Sequence, residues 1–474
     1  MDIILNQIAS IIGKDNIIED GEGLVPYSKG NISFIPERSP LFAVRPGTVE
    51  ETKALLKVAN QNKIPVTPFS SSVNGHGGAI PSVPGMTLDM RRLNRIHLVD
   101  EVQRNAIVEP GVTFAQLQEQ AKEKGLRVLV PVDLPAEASV ISSYLEMCPL
   151  YAWPKYDTET VLTLELLLPN GDLVKTGAAG LPIMNEKPYL PIMTPPIYME
   201  KLWFGSQGTL AVATKAALKL KTRYDHNEVV FIPFNSFAET LPVIREIRRL
   251  DLGIEFFMAN AAYLAGLLAE NGEGFDSLKA GLPPVTAVLV FRGDRGRVDY
   301  QRADFEDLSQ QMNLKPVETL ADEPEAAKKI LEELELPRGY QRFEQLKGAY
   351  HVIPFICMAM QVPMFNMVVS QITQAFGVDK NDLGEMLLPA EPSRFHFQYS
   401  FYSNPGESQE YMKTMQLFKV LSSTLIKMGA FFSRPYGEWA EQVYGKANAY
   451  KSLMKEFKEV IDPEHIMNPG KLDL

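Results

Sequence analysis

Residues 68–81 read Pro-Phe-Ser-Ser-Ser-Val-Asn-Gly-His-Gly-Gly-Ala-Ile-Pro and are followed, after Ser82 to Gly85, by Met86-Thr-Leu-Asp-Met-Arg-Arg-Leu-Asn94; this stretch constrains the chain most. Small side chains let successive backbone N–H groups turn towards an anion, and Gly75, Gly77 and Gly78 relieve the steric cost of positive φ. The loop reads as a diphosphate cradle in which backbone donors replace lysines, with Ser70, Ser71, Ser72, Val73, Asn74, Gly75, His76, Gly77 and Gly78 as candidate contacts. It follows a strand expected over Ile64 to Pro68, but it has neither the Gly-Lys-Ser/Thr ending of the phosphate-binding loop nor the glycine spacing of the dinucleotide fingerprint. A Gly/Ser-rich loop alone is compatible with a plain connection, so the order of neighbouring segments has to decide.

That order is regular. Thr48 with Glu51 predicts a capping box opening a helix with Ala54, Leu55, Val58 and Ala59 on one face, so a βα unit feeds the loop. Downstream come Ala106 to Thr113, a second capping box of Thr113 with Gln116, and a helix stopping near Gly125. Val161 to Gly177 predicts a strand pair around a Pro-Asn-Gly-Asp turn, and Leu202 to Thr214 contains Trp-Phe-Gly-Ser-Gln-Gly-Thr. The chain closes on Asp462-Pro-Glu-His-Ile-Met-Asn-Pro-Gly-Lys471.

At these residues the chain resembles the flavoprotein family typified by vanillyl-alcohol oxidase and p-cresol methylhydroxylase (PCMH), with relatives among D-lactate and glycolate dehydrogenase FAD subunits. Residues 40 to 220 correspond to the family's FAD-binding domain and 460 to 471 to its closing signature, while the middle agrees only in layout. The resemblance implies an α+β fold, a two-part PCMH-type FAD-binding domain plus a cap domain whose antiparallel sheet is covered by helices. It implies FAD, with Pro135, Ser139, Ser142, Ser143, Gly208, Thr209, Val212, Asn468 and Lys471 joining the loop residues as cofactor contacts. FAD takes the hydride while the protein orients substrate and stabilises charge. We expect the flavin to be noncovalent, because Cys148 in an apolar run reads as a buried small hydrophobe.

Composition agrees. At 474 residues the chain exceeds one ordinary domain, and a 45% apolar fraction suffices for sizeable cores. Element order predicts an FAD-binding domain over 1–222, a cap over 223–428 and a returning segment over 429–474. In the cap, strands are expected at Val229 to Pro233, Ile254 to Met258, Val285 to Phe291, Arg394 to Tyr402 and Ala430 to Arg434, with a third capping box at Ser236 and Glu239, and helices on one face of the sheet. The Glu/Lys/Pro-rich stretch near 315–350 is expected to be a helical or mobile excursion. A net charge of −11 argues against a nucleic-acid partner. No apolar run reaches the ~20 residues of a membrane span and the start lacks a signal-peptide pattern, so a cytoplasmic address is expected. Two cysteines cannot ligate an iron–sulfur cluster, so any cluster sits on a partner subunit, and a homo- or hetero-oligomer is expected.

Candidate catalytic residues come from the cap strand and the segment after it. Alternation puts Arg394, His396, Gln398, Ser400 and Tyr402 on one face, against Phe395, Phe397, Tyr399 and Phe401. His396 is a candidate base and Tyr402 a further candidate, the plain alternative for His396 being a hydrogen-bonded sheet histidine. In metal-dependent 2-hydroxy-acid members of the family, this strand carries two histidines and a later Ser-Gly-Glu-His-Gly segment adds two ligands. Here the strand has one histidine and the later segment reads Ser433-Arg-Pro-Tyr-Gly437, so no metal is expected. Arg434 and Tyr436, one strand step apart, offer a cation and a phenol for a phenolate or carboxylate, or else an interdomain ion pair and a packed ring. His76 takes the place of a family tyrosine that contacts the phenol oxygen. The expected function is FAD-dependent dehydrogenation, rather than oxidase chemistry, of a phenolic, aromatic-alcohol or alkylphenol substrate. The alternatives are an FAD subunit of a 2-hydroxy-acid dehydrogenase delivering electrons to an iron–sulfur or flavoprotein partner, and a noncatalytic FAD-fold scaffold.

Overall fold

The computed structural model describes residues 2–30, 35–71, 73, 76–131, 133–148, 160–180, 199–320, 323–391, 394–404 and 406–474. Ser72, Asn74 and Gly75 lie outside them.

The first sheet is built around the glycine-bearing loop. Its strands β1 (Ile17–Ile18), β2 (Phe42–Val44), β3 (Val66–Phe69) and β4 (Met86–Asp89) run in the order β1-β2-β4-β3, with β2, β4 and β3 parallel. Parallel neighbours need a crossover, which helix α1 (Val49–Gln61) supplies between β2 and β3. Thr48 Oγ1 accepts from Glu51 N as expected, but the Glu51 carboxylate accepts from Gly47 N instead of closing a full capping box. The β3–β4 connection carries residues 70–85, so the loop leaves the carboxyl end of a buried parallel strand, where open α/β sheets bind ligands.

A second, antiparallel sheet follows: β5 (Ile96–Asp100), β6 (Asn105–Val108), β7 (Val161–Leu167), β8 (Leu173–Lys175) and β9 (Val212–Lys219), in the order β5-β6-β9-β7-β8. Helix α2 (Phe114–Glu123) has the complete Thr113–Gln116 capping box, and the short helix α3 (Val140–Leu145) is N-capped by Ser139. Phe114, Leu117, Val140 and Ile141 pack with Leu164, Leu166, Ala216 and Leu218 in this unit's core.

The cap sheet has six antiparallel strands, β10 (His226–Phe234), β11 (Glu255–Asn260), β12 (Val285–Gly293), β13 (Ala349–Met358), β14 (Gly384–Glu391) and β15 (Arg394–Ser403), in the order β10-β12-β11-β14-β15-β13. Helices cover both faces, where one was expected. One face packs on helices α4 (Phe237–Arg249), α6 (Arg295–Gln311), α9 (Val362–Ala375) and α10 (Ser408–Lys427). The other packs on α5 (Ala261–Leu268), α7 (Ala326–Glu335) and α8 (Tyr340–Lys347). The second face is covered by α5 and by the stretch 315–350, whose α7 carries Ala326, Ile330 and Leu334 at helical spacing into the core. Ser236 makes no side-chain cap; Glu239 accepts from Asn235 N instead. Residues 430–434 form no strand, only a single bridge from Phe431 to Ile356 of β13.

The segment 458–471 returns to the first sheet and acts as a clasp. Asp462 accepts from Ile466 N, Met467 N and Lys458 Nζ, and Lys458 Nζ also reaches the carbonyls of Thr209 and Met467. Asn468 N donates to Val66 O at 2.8 Å, and its side-chain amide donates to Gln207 O at 2.7 Å and Gly78 O at 3.3 Å.

Candidate active site

Two cavities meet at the junction of the FAD-side sheets and the cap. The first, a cleft of about 980 Å³, is lined by Pro68, Phe69, Ser70, Ser71, Val73, Gly78, Ser142, Gly208 and Val212, with Glu146, Trp203 and Gln207 among the other walls. The second, about 610 Å³, is bounded by His76, Val352, Phe418, Tyr436 and Trp439. They adjoin at one wall: Tyr436 donates to Glu146 Oε2 at 2.8 Å, and both side chains lie over Gly78, where an added Cβ would meet Tyr436 Cε1 at 3.1 Å.

The cleft has the chemistry of a cofactor site. Trp203 Nε1 and Gln207 Oε1 are buried on its wall without a partner among the described residues, and such groups cost about 1–3 kcal/mol each unless a ligand engages them. Gly208, at φ +69°, brings its backbone so close to Pro68 that a Cβ would sit 3.1 Å from Pro68 Cγ. Ser70 and Ser142 share a hydroxyl–hydroxyl hydrogen bond across the cleft. The residues present therefore fit a long, partly polar group such as FAD.

The other expected cofactor contacts sit behind the wall. Ser139 is committed to Pro110 O and to the N-terminus of α3, and Ser143 Oγ donates to Ser139 O. Thr209 Oγ1 donates to Ser206 O, and Pro135 abuts Gly339 of the cap, where a Cβ would meet Pro135 N at 2.2 Å. Asn468 belongs to the clasp, and Lys471 Nζ lies 3.4 Å from Gly77 O; burial, helped by Arg38, lowers its pKa to about 8. The closing segment thus braces the glycine-bearing loop through Asn468 and Lys471.

At the cavity junction the expected catalytic residues separate into two groups. Tyr436 stacks on His76, ring centroids 5.2 Å apart and nearly parallel. Arg434 is buried and donates to Cys148 Sγ at 3.2 Å. The Ile356–Phe431 bridge lays residues 431–434 beside β13, whose Ile356 is paired with His396. These residues converge although 430–434 is not a strand. Tyr402 does not join them: six residues from His396, or about 20 Å along a strand, it packs on Tyr350 and Phe275.

Burial dominates the electrostatics here. His396, 2% exposed, has its pKa lowered to about 3 by burial and then by the Arg434 charge, which leaves a neutral imidazole. His76 is driven well down by burial, Arg434 and His396 together. Tyr436 donates its hydroxyl proton to Glu146, and the buried Arg434 guanidinium lies close by. Burial raises Glu146 despite the Tyr436 hydrogen bond and Arg434, and burial pushes the Cys148 thiol up to about 11, so it is neutral. Glu146 and Asp133 escaped the sequence reading, since no local spacing ties residue 146 to 436 or 133 to 398. Among the described residues no three His, Cys, Asp or Glu side chains cluster as a metal site.

A flavin-binding fold with a covered cleft and a second, largely apolar cavity defines an FAD-dependent oxidoreductase. Residues 40–177 match the family described as FAD binding domain, and 439–472 match FAD linked oxidases, C-terminal domain. The chain is 24% identical to the mitochondrial D-lactate dehydrogenase [cytochrome] of Arabidopsis thaliana, over 99% of this chain and 80% of that protein. It is 32% identical to the 4-cresol dehydrogenase [hydroxylating] flavoprotein subunit of Pseudomonas putida, over 38% of this chain and 36% of that one. The fold matches that of p-cresol methylhydroxylase with substrate bound at a TM-score of 0.85 and 19% identity, covering 100% of this chain and 96% of the other. The chain therefore carries the FAD binding domain and the FAD linked oxidase C-terminal domain of an FAD-linked oxidoreductase, and its fold is that of the PCMH-type flavoproteins.

Proposed function

We propose that this enzyme dehydrogenates a small aromatic alcohol or alkylphenol. The observation that carries the reading is the contact between the two cavities: the stacked Tyr436–His76 pair bounds the second chamber, and Tyr436 meets Glu146 and Gly78 of the cofactor cleft. Val352, Phe418 and Trp439 give that chamber walls suited to a planar ring, while the exposed Lys419–Glu438 ion pair lies at its rim. Arg434 supplies the positive charge that draws a phenolate or other acid end inward, and charge stabilisation in a dry site is the largest lever such a residue has. When bound, FAD accepts the hydride from the substrate carbon.

Dehydrogenase chemistry with a protein electron acceptor is the favoured form, supported by the Pseudomonas putida relative being a flavoprotein subunit. A second reading, oxidation of a 2-hydroxy acid, is supported by Arg434 as a carboxylate anchor beside His396 and by the likeness to D-lactate dehydrogenase.

Anaerobic visible spectra of the holoenzyme, recorded against para-alkylphenols, aromatic alcohols and 2-hydroxy acids, test these readings. Bleaching by the aromatic set supports the first, and bleaching by hydroxy acids alone replaces it with the second. Flavin reoxidation by a one-electron dye but only slowly by air supports the dehydrogenase form.

A further inference from the structure

Gln398 stands on the FAD-facing side of β15, 3% exposed, between two groups that fix its orientation. On one side its amide nitrogen donates to Asp133 Oδ2. Asp133 belongs to the FAD side of the junction and takes two further phenol donors, Tyr263 at 2.6 Å and Tyr350 at 3.3 Å. Three donors converging on one side chain is the arrangement of an acceptor-only carboxylate, so the end of Gln398 that faces it has to be the NH₂ group. The carbonyl end then points the other way, and its neighbour there is His396 Nε2 at 3.4 Å. Facing an acceptor, Nε2 carries the imidazole proton, and Nδ1 is left with a bare lone pair. That Nδ1 is buried and has no partner among the described residues.

The backbone holds this chain of groups in place. Asp133 sits at φ +62°, a conformation that Asp tolerates better than most residues, and its carbonyl accepts from Tyr340 N of the cap at 3.0 Å. The relay therefore links the FAD side to the cap strand.

We propose that Asp133 and Gln398 are positioning residues that hold His396 as the Nε2–H tautomer, so that Nδ1 selects a substrate bearing a hydrogen-bond donor, a hydroxyl, at the carbon being oxidised. The inference rests on the reading that this site oxidises a small organic substrate, and it adds a division of labour. Arg434 binds the anionic end, and His396 accepts from the hydroxyl. A substrate lacking that hydroxyl leaves the buried lone pair unpaired, which costs about 1–3 kcal/mol and corresponds to roughly 5- to 150-fold in affinity. The neutral state of His396 agrees, since burial and Arg434 keep it from charging at ordinary pH.

Two measurements test this. The first uses the substrate-free holoenzyme labelled with ¹⁵N-histidine, with the His396 signals identified by their absence from His396→Asn. Pyrrole-type Nε2 and pyridine-type Nδ1 are expected; the reverse pattern, or an imidazolium, overturns the proposal. Gln398→Met removes the director and should produce a tautomer mixture, and Asp133→Asn, no longer acceptor-only, should loosen the director and shift the pattern the same way; an unchanged pattern in Gln398→Met overturns the proposal. If Asp133→Asn does not fold, Gln398→Met alone decides. The second measures dissociation constants of 4-hydroxybenzyl alcohol and 4-methylphenol with dithionite-reduced holoenzyme, where no turnover occurs. The alcohol should bind at least fivefold tighter, and Gln398→Met should erase most of that ratio; equal affinities in wild type overturn the proposal. Failure of every panel compound to bleach the flavin would remove the functional reading instead, and the ¹⁵N pattern would still decide the relay.

Discussion

Glu255 of β11 is the place where one atom change should be felt across the whole molecule. Its carboxylate accepts from Arg127 Nη2 at 2.5 Å and Arg292 Nε at 2.6 Å, and none of the three side chains is more than 6% exposed. Arg127 lies on the FAD side, before the cap sheet, so the triad ties the two parts together. Glu255→Gln keeps the shape but leaves two buried guanidiniums facing an amide, with Arg127 Nε and Arg292 Nη2 already without a partner among the described residues. Breaking a buried pair in this way costs about 3–5 kcal/mol. With a urea dependence of roughly 3 kcal/mol per molar for a large chain, the denaturation midpoint should fall by about 1–1.7 M.

The pH dependence gives the reasoning a second test. Burial raises the pKa of Glu255, but the charges and hydrogen bonds of the two arginines outweigh it, and the net shift is downward from 4.5. A carboxylate with a lowered folded pKa stabilises fully above its unfolded pKa and loses that contribution as pH falls through the folded value. The midpoint gap between wild type and Glu255→Gln should therefore be constant from pH 6 to 8 and shrink below about 4.5. Glu246→Gln, at an exposed pair with Arg249, should leave the midpoint unchanged. A midpoint drop under 0.3 M, or a gap that persists into acid, would refute the argument.

Three further outcomes are expected. Gly208→Ala places a Cβ against Pro68 at φ +69°, so it should cost about 1–2 kcal/mol and lower the FAD content of purified protein, read from the visible-to-ultraviolet absorbance ratio. Trp203→Phe removes the indole N–H that has no partner among the described residues, and fluorescence titration of apoprotein with FAD should show affinity weakened by about 3- to 10-fold, while the smaller ring leaves a cavity that costs about 1–3 kcal/mol of stability. Lys458→Met leaves Asp462 buried without its cation and should lower stability by about 3–5 kcal/mol, with limited proteolysis showing early cleavage near 462–474.

Local chemistry made much of the fold legible. Thr113 with Gln116 marked a helix start to the residue, and the alternation of Phe395, Phe397, Tyr399 and Phe401 separated the core face of β15 from its polar face. β13 and β14 were missed because both are buried on two sides and lack alternation: Ala349–Met358 is apolar almost throughout, with Pro354 inside it. Residues 430–434 looked like a strand for the same reason, but only Phe431 found a partner. In the site, residue types pointed to Arg434, Tyr436, His76 and His396, yet their roles depended on partners distant in sequence. Tyr436 meets Glu146 across 290 residues and Gln398 meets Asp133 across 265, separations that no motif encodes.

The clasp at 458–471 has a bearing on how the enzyme comes into being. Lys471 lies against Gly77 at a separation of 394 residues, and Lys458 reaches Thr209 at 249. On the ribosome, the loops bordering the flavin cleft emerge hundreds of residues before the segment that pins them. Cofactor loading is therefore a late event, following synthesis of the cap and of residue 471, and a nascent chain stalled within the cap would carry an unbraced cleft.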